Sequence, residues 1–196
     1  EADFALITKG RQSQPIDDPY TKVYGTNIFL EEGAVIRASI LNALDGPIYL
    51  GKNTEVHEGS MIKGAFALCE GAHINMGAKI KGDTTVGPYC KVGGEVSNSI
   101  LFGYSNKGHD GFIGNTVIGE WCNLGADTNT SNLKNNYSNI AIWDYEVNDF
   151  NPTGQQFCGT MMGDHSKCGI NTMLNTGTVM GLCANVFGGD FQNKHV

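Results

Sequence analysis

From residue 50 to residue 92 the chain reads L GKNTEV HEGSMI KGAFAL CEGAHI NMGAKI KGDTTV GPYCKV, and every block of six ends on an aliphatic side chain. These are Leu50, Val56, Ile62, Leu68, Ile74, Ile80, Val86 and Val92. With Ile, Leu and Val filling about a fifth of the chain, eight such hits have a chance on the order of 10⁻⁶, and a fixed period of this kind marks a repeat architecture. Four places after each stand Thr54, Ser60, Phe66, Ala72, Ala78, Thr84, Cys90 and Val96, almost all small or β-branched. Glycine often follows the aliphatic residue, as at Gly51, Gly87, Gly93, Gly119, Gly125, Gly163, Gly169 and Gly181.

A helix repeats its apolar face near 3.6 residues and a lone strand near 2. Six is a multiple of two, so short strands fit, but one large apolar residue in six demands a corner every six. Small residues near the corner let the backbone turn, and glycine is expected to supply positive φ there. Three such strands close a triangular coil of about 18 residues, and stacked coils make a parallel β-helix. The frame returns at Ile118 and Leu124, at Met162, Cys168, Leu174 and Met180, and at Val186.

Interruptions of the period predict where the chain leaves the coil. Ile36 to Leu44 spans eight residues, with Asp45-Gly46 as a turn signal; Val92 to Ile118 spans 26 and Leu124 to Met162 spans 38, each two more than a whole number of hexads. The last gap holds the polar run from Thr130 to Tyr137, a strand-like Ile140-Ala141-Ile142-Trp143 and a turn from Asn148 to Gly154. An extruded loop or hairpin over about 129–157 accounts for it, and long loops on rigid scaffolds usually carry function. Residues 1–27 lack the hexad and contain Gln14-Pro15-Ile16-Asp17-Asp18-Pro19, so they read as a leader from an upstream domain. The β-helix is expected over 28–190, with 191–196 as a tail.

The 196 residues suit one domain, and 40% hydrophobic content is enough for a core. With 13 Lys and Arg against 20 Asp and Glu the net charge is −7, which argues against nucleic-acid and anionic-membrane partners. No apolar run reaches the ~20 residues a membrane helix needs. Cys69, Cys90, Cys122, Cys158, Cys168 and Cys183 include no CxxC pair, and they read as small buried residues of a chain in the reducing cytoplasm.

At this point the sequence resembles the left-handed β-helix acyltransferases. More narrowly it resembles the C-terminal domain of bifunctional sugar-1-phosphate nucleotidylyltransferase/acetyltransferases, the N-acetylglucosamine-1-phosphate uridylyltransferase family. The likeness covers about residues 23–190. It is carried by Gly94-Glu95-Val96-Ser97-Asn98-Ser99, by Gly108-His109 with Gly114-Asn115-Thr116-Val117-Ile118-Gly119, by Cys122-Asn123-Leu124-Gly125-Ala126-Asp127-Thr128, by Thr130-Ser131-Asn132-Leu133-Lys134 and by Gly163 to Thr172. The left hand of the coil is what the resemblance implies, since general crossover rules favour the right hand.

The resemblance implies an acyl-CoA-dependent N-acyltransferase, with acetyl-CoA as co-substrate and an amino sugar phosphate or sugar nucleotide as acceptor. It implies a homotrimer with sites between adjacent coils. His109 takes the family's general-base position, a task suited to an imidazole. Glu95 matches an acidic residue that orients the imidazole or the amine. Asn123 and Asn132 match amides that hold the sugar and the acyl donor, and Ala126 matches a backbone N–H at the thioester. Lys134 and Lys107 are candidate phosphate contacts. Ser97, Phe112 and Ile170 stand where many members have lysine, tyrosine and a CoA-contacting serine, and they favour a second reading: a non-catalytic β-helix module that trimerises or regulates an upstream nucleotidylyltransferase. Some β-helix trimers are zinc enzymes with two histidines five apart. No two of His57, His73, His109, His165 and His195 have that spacing, so no metal is expected.

Overall fold

The computed structural model describes residues 2–196. Strands of two or three residues stack in parallel on three faces, and two of the faces are eight strands deep. The first face begins at Lys22–Tyr24 and runs through Ile40–Asn42, Met61–Lys63, Lys79–Ile80, Glu95–Ser97 and Phe112–Gly114; Asn129–Thr130 and Met173–Leu174 continue it. The second runs from Ile28–Leu30 to Val179–Met180, the third from Val35–Ile36 to Asn185–Val186. The chain visits the faces in turn, so it winds a triangular solenoid of eight coils, consistent with the expected left-handed parallel β-helix.

The core is one column of side chains inside the triangle. Leu50, Val56, Leu68, Ile74, Val86 and Val92 are fully buried, and Ile62 and Ile80 nearly so. The residues four places further on also face inward, since Thr54, Ser60, Phe66, Ala72, Ala78, Thr84 and Cys90 are all buried. Each hexad therefore sends two side chains in, an aliphatic one that mostly ends its strand and, four places on, one that is small at all but Phe66. Where the small residue is Thr, its hydroxyl donates to the carbonyl three residues back: Thr54 to Gly51, Thr128 to Gly125, Thr172 to Gly169. That pairing satisfies a corner carbonyl that the sheet cannot reach.

The glycines after the aliphatic residues do not supply positive φ. A Cβ on Gly87 would lie 1.1 Å from the Phe102 carbonyl oxygen, and one on Gly125 would lie 2.5 Å from Gly169. Most of them are glycine because the next coil passes too close, Gly169 and Gly181 being the looser ones. Positive φ falls two residues later, mostly on larger residues: Asn53, Tyr89, Trp121, Asp127, His165, Asn171 and Cys183. On one edge Tyr89, Tyr104, Trp121 and His165 stack nearly parallel in successive coils, their rings 5.4, 4.5 and 6.2 Å apart. Stacking helps offset a backbone conformation that bulky residues ordinarily avoid.

Between Val92 and Ile118 the chain does not leave the coil. It tightens, with inward residues Val96, Leu101, Lys107 and Ile113 at steps of four to six. The first coil starts at Lys22, and Leu44 is exposed, the inward residue there being Leu41. The excursion after Thr130 carries an antiparallel hairpin, Ala141–Asp144 with Asp149–Pro152, before the coil resumes at Met161. Both ends of the solenoid are covered. The Gln14 N–H donates to the Leu30 carbonyl, and Ile16 packs on the core. At the other end Phe191 bridges to Met173 and His195 to Val179, so 191–196 form part of a ninth coil. Such cover removes exposed strand edges. Cys90, Cys122, Cys158 and Cys168 are buried as expected, but Cys69 is half-buried and Cys183 is exposed at its corner.

Candidate functional site

The corner between the third and first faces gathers most of the predicted residues. His109 sits there in the turn Gly108–Gly111, exposed to solvent. One coil on, Ala126 and Asp127 lie beneath it, with the Asp127 N–H donating to the Asp110 carbonyl at 3.0 Å. One coil further, the Asn171 N–H donates to the Ala126 carbonyl at 2.8 Å, which places the exposed Ile170 on the same line. The Ala126 N–H itself donates to no group among the described residues, so it remains available as a donor.

Glu95 is next to this corner on the first face. Its N–H donates to the Gly111 carbonyl at 3.1 Å, and it is in register with Phe112. Its carboxylate does not hold the imidazole. It accepts from Lys81 Nζ at 2.6 Å, while the His109 ring has no hydrogen bond among the described residues. On the other side of the corner, Asn123 Oδ1 accepts from Asn106 Nδ2 at 3.0 Å on the third face. Asn75 Nδ2 donates to the Gly108 carbonyl at 2.8 Å, tying the His109 turn to the coils before it.

Asn132 is elsewhere. It lies at the edge where the first face meets the second, its Nδ2 donating to Asn115 Oδ1 at 2.8 Å. Within one chain it is therefore across the width of the first face from His109. Lys134 is in the excursion, its ammonium bound to the Asn139 carbonyl of the same loop.

Lys107 corrects an expectation. It is not a surface cation for phosphate: it is 2% exposed and points inward, in register with Val92. Its Nζ donates to the Gly93 carbonyl at 3.0 Å and to the His109 carbonyl at 2.5 Å. Desolvation pushes its pKa down to about 8, against the partial support of Asp110 and Asp127.

The cations that do reach solvent beside Glu95 are Lys79 and Lys81. Lys79 is directly in register with Glu95, 16 residues away in sequence, and both lysines are exposed. Spacing by one coil length is the sequence signal that finds them. A second polar group lies on the third face in earlier coils. Arg37 and His57 both bind Glu55 Oε2, at 2.9 and 3.2 Å, and the His73 ring is 5.9 Å from that of His57. Arg37, then His57, holds the Glu55 carboxyl below its usual range. Among the described residues no group of three or more ligating side chains could hold a metal ion, and no helix is long and apolar enough to cross a membrane. No protein-family model matches the chain, and no curated protein matches it.

Proposed function

We propose that the chain is an acyl-CoA-dependent N-acyltransferase domain acting on an amino sugar phosphate or sugar nucleotide, within the sugar nucleotidylyltransferase/acetyltransferase family that its motifs resemble. The observation that carries this reading is the corner line of His109 and Ala126, flanked by Glu95 on one face and Asn123 on the other. An exposed imidazole, a free backbone N–H and two flanking polar side chains are the groups this chemistry uses.

In the proposed reaction the acceptor amine attacks the thioester carbonyl. His109 takes the proton the nitrogen sheds, and the Ala126 N–H stabilises the oxyanion. The carbon–sulfur bond breaks, and the proton passes to the departing thiolate of coenzyme A. Lys79 and Lys81, not Lys107, supply positive charge for the acceptor phosphate next to Glu95. Asn132, one face-width away, serves a site completed by a neighbouring chain of a homotrimer. Besides Ser97, Phe112 and Ile170, the non-catalytic reading has one structural observation in its favour: Glu95 is engaged by Lys81 and leaves the His109 ring without an orienting partner.

The deciding experiment is acetyl-CoA turnover with a panel of amino sugar phosphates and sugar nucleotides. His109→Ala is expected to lower the rate by roughly 10²–10⁴-fold, the usual worth of a general base. An unchanged rate removes His109 from the mechanism, and no turnover on any acceptor favours the assembly module.

A further inference from the structure

We infer that Lys107 is a positioning residue: its ammonium reaches from the core to the corner and sets where the Gly108–Gly111 turn, and with it His109, stands. The claim that this matters for catalysis rests on the acyl-transfer reading; the claim about the turn does not.

The column Lys107 occupies is otherwise uncharged. In register along the third face the inward residues are Ile36, Val56, Ile74, Val92, Lys107, Leu124, Cys168 and Val186. An aliphatic side chain would fill the space as its neighbours do. A charge there is unfavourable unless hydrogen-bonded. Its bonds go to two carbonyls of one corner, Gly93 at the end of the preceding coil and His109 in the turn itself.

The surroundings are shaped for that ammonium. Gly94 has φ +69°, and a Cβ there would come within 2.8 Å of Lys107 Nζ and of the His109 and Gly111 carbonyls. Gly111 has φ +116°, and a Cβ on it would lie 2.3 Å from the Thr128 carbonyl. This is where the coil is shortest, Val92 to Val96 being only four residues. A shortened corner leaves carbonyls that no strand reaches, and the lysine donates to them from inside. Asp110 in the turn and Asp127 in the corner beneath it provide compensating negative charge.

The test is Lys107→Met in the full chain, with Lys107→Leu as a second variant that repeats the Leu124 side chain of the next coil. The first readout is amide hydrogen exchange, with no substrate. Glu95 and Asp127 donate to carbonyls of the turn and are expected to exchange at least about tenfold faster, while Gly51 and Cys69 in the regular coils keep their protection. The second is turnover: kcat is expected to fall about tenfold with the KM for acetyl-CoA unchanged. Unchanged exchange at Glu95 and Asp127 overturns the inference whatever the enzyme does. Faster exchange with an unchanged kcat, in an enzyme that His109→Ala inactivates, overturns the positioning role. If the wild-type protein transfers no acyl group, the acyl-transfer reading fails, and the exchange data still decide whether Lys107 sets the turn. Failure of both variants to fold also overturns it, because the lysine would then be a requirement of the core.

Discussion

The coils between Leu50 and Val92 and those between Val92 and Ile118 are built on the same three faces but obey different constraints. In the first stretch every step is six, every sixth residue is an inward aliphatic, and the inward residue four places on is small at all but Phe66. In the second the steps shorten, a lysine enters the core, and the corner carries His109 instead of a plain turn. The regular coils hold shape by repetition. The shortened ones require a specific side chain at a specific place, and they hold His109 and Glu95. Regularity serves stacking, and the departures place unusual groups where a ligand can reach them.

The sharpest way to break this contrast is at the junction. Gly87→Ala would drive a Cβ into the Phe102 carbonyl of the first short coil, and it is expected to destabilise by about 4 kcal/mol or more in urea unfolding. A small effect would show that the coils separate more easily than their packing implies. Within the regular stretch, Leu68→Ala removes a fully buried side chain and is expected to cost about 3 kcal/mol.

The lysine gives a comparison in pH. Its folded pKa of about 8 lies below the ordinary 10.5, so the folded chain releases that proton first. The unfolded chain then binds more protons between pH 8 and 10.5, and stability rises with pH across that window. Below pH 8 the full penalty of the buried charge is present. The stability gap between wild type and Lys107→Met is therefore expected to move by about 3 kcal/mol in favour of wild type from pH 8 to 10.5, read by thermal unfolding. A constant gap would mean that the folded lysine keeps its ordinary pKa, as a solvated ammonium does.

The smallest effects concern the corner hydroxyls. Thr54→Val loses one hydrogen bond, to Gly51, and is expected to cost about 1 kcal/mol. Thr116→Val loses two, one to the Gly114 carbonyl and one from the Thr160 N–H, and is expected to cost about twice that. Equal costs would place the two stretches under the same local rules.

Much of the fold is legible because the period of six is a local property. Leu50 to Val92 reads directly as inward residues, and the polar run after Thr130 reads as an excursion. The tightened coils are not legible, because Val96, Leu101 and Ile113 stand at unequal steps that mimic a loop. Lys107 misleads for a related reason: lysine is almost always a surface residue, and only register with Val92 turns it inward. Lys79 escapes a linear reading because its neighbour in space, Glu95, is one coil away and not adjacent in sequence.

The sequence by itself determined that the chain forms stacked three-sided coils, since only a corner every six residues is compatible with that spacing of apolar side chains. It also marked the His109, Ala126 and Asn123 motifs. Tertiary structure alone decided which glycines avoid collision and which backbones are left-handed, that Lys81 and not His109 holds Glu95, and that Lys107 lies inside. The reason is physical: each of these depends on what the neighbouring coil presents at a few ångströms, and that neighbour is 14 or more residues away along the chain.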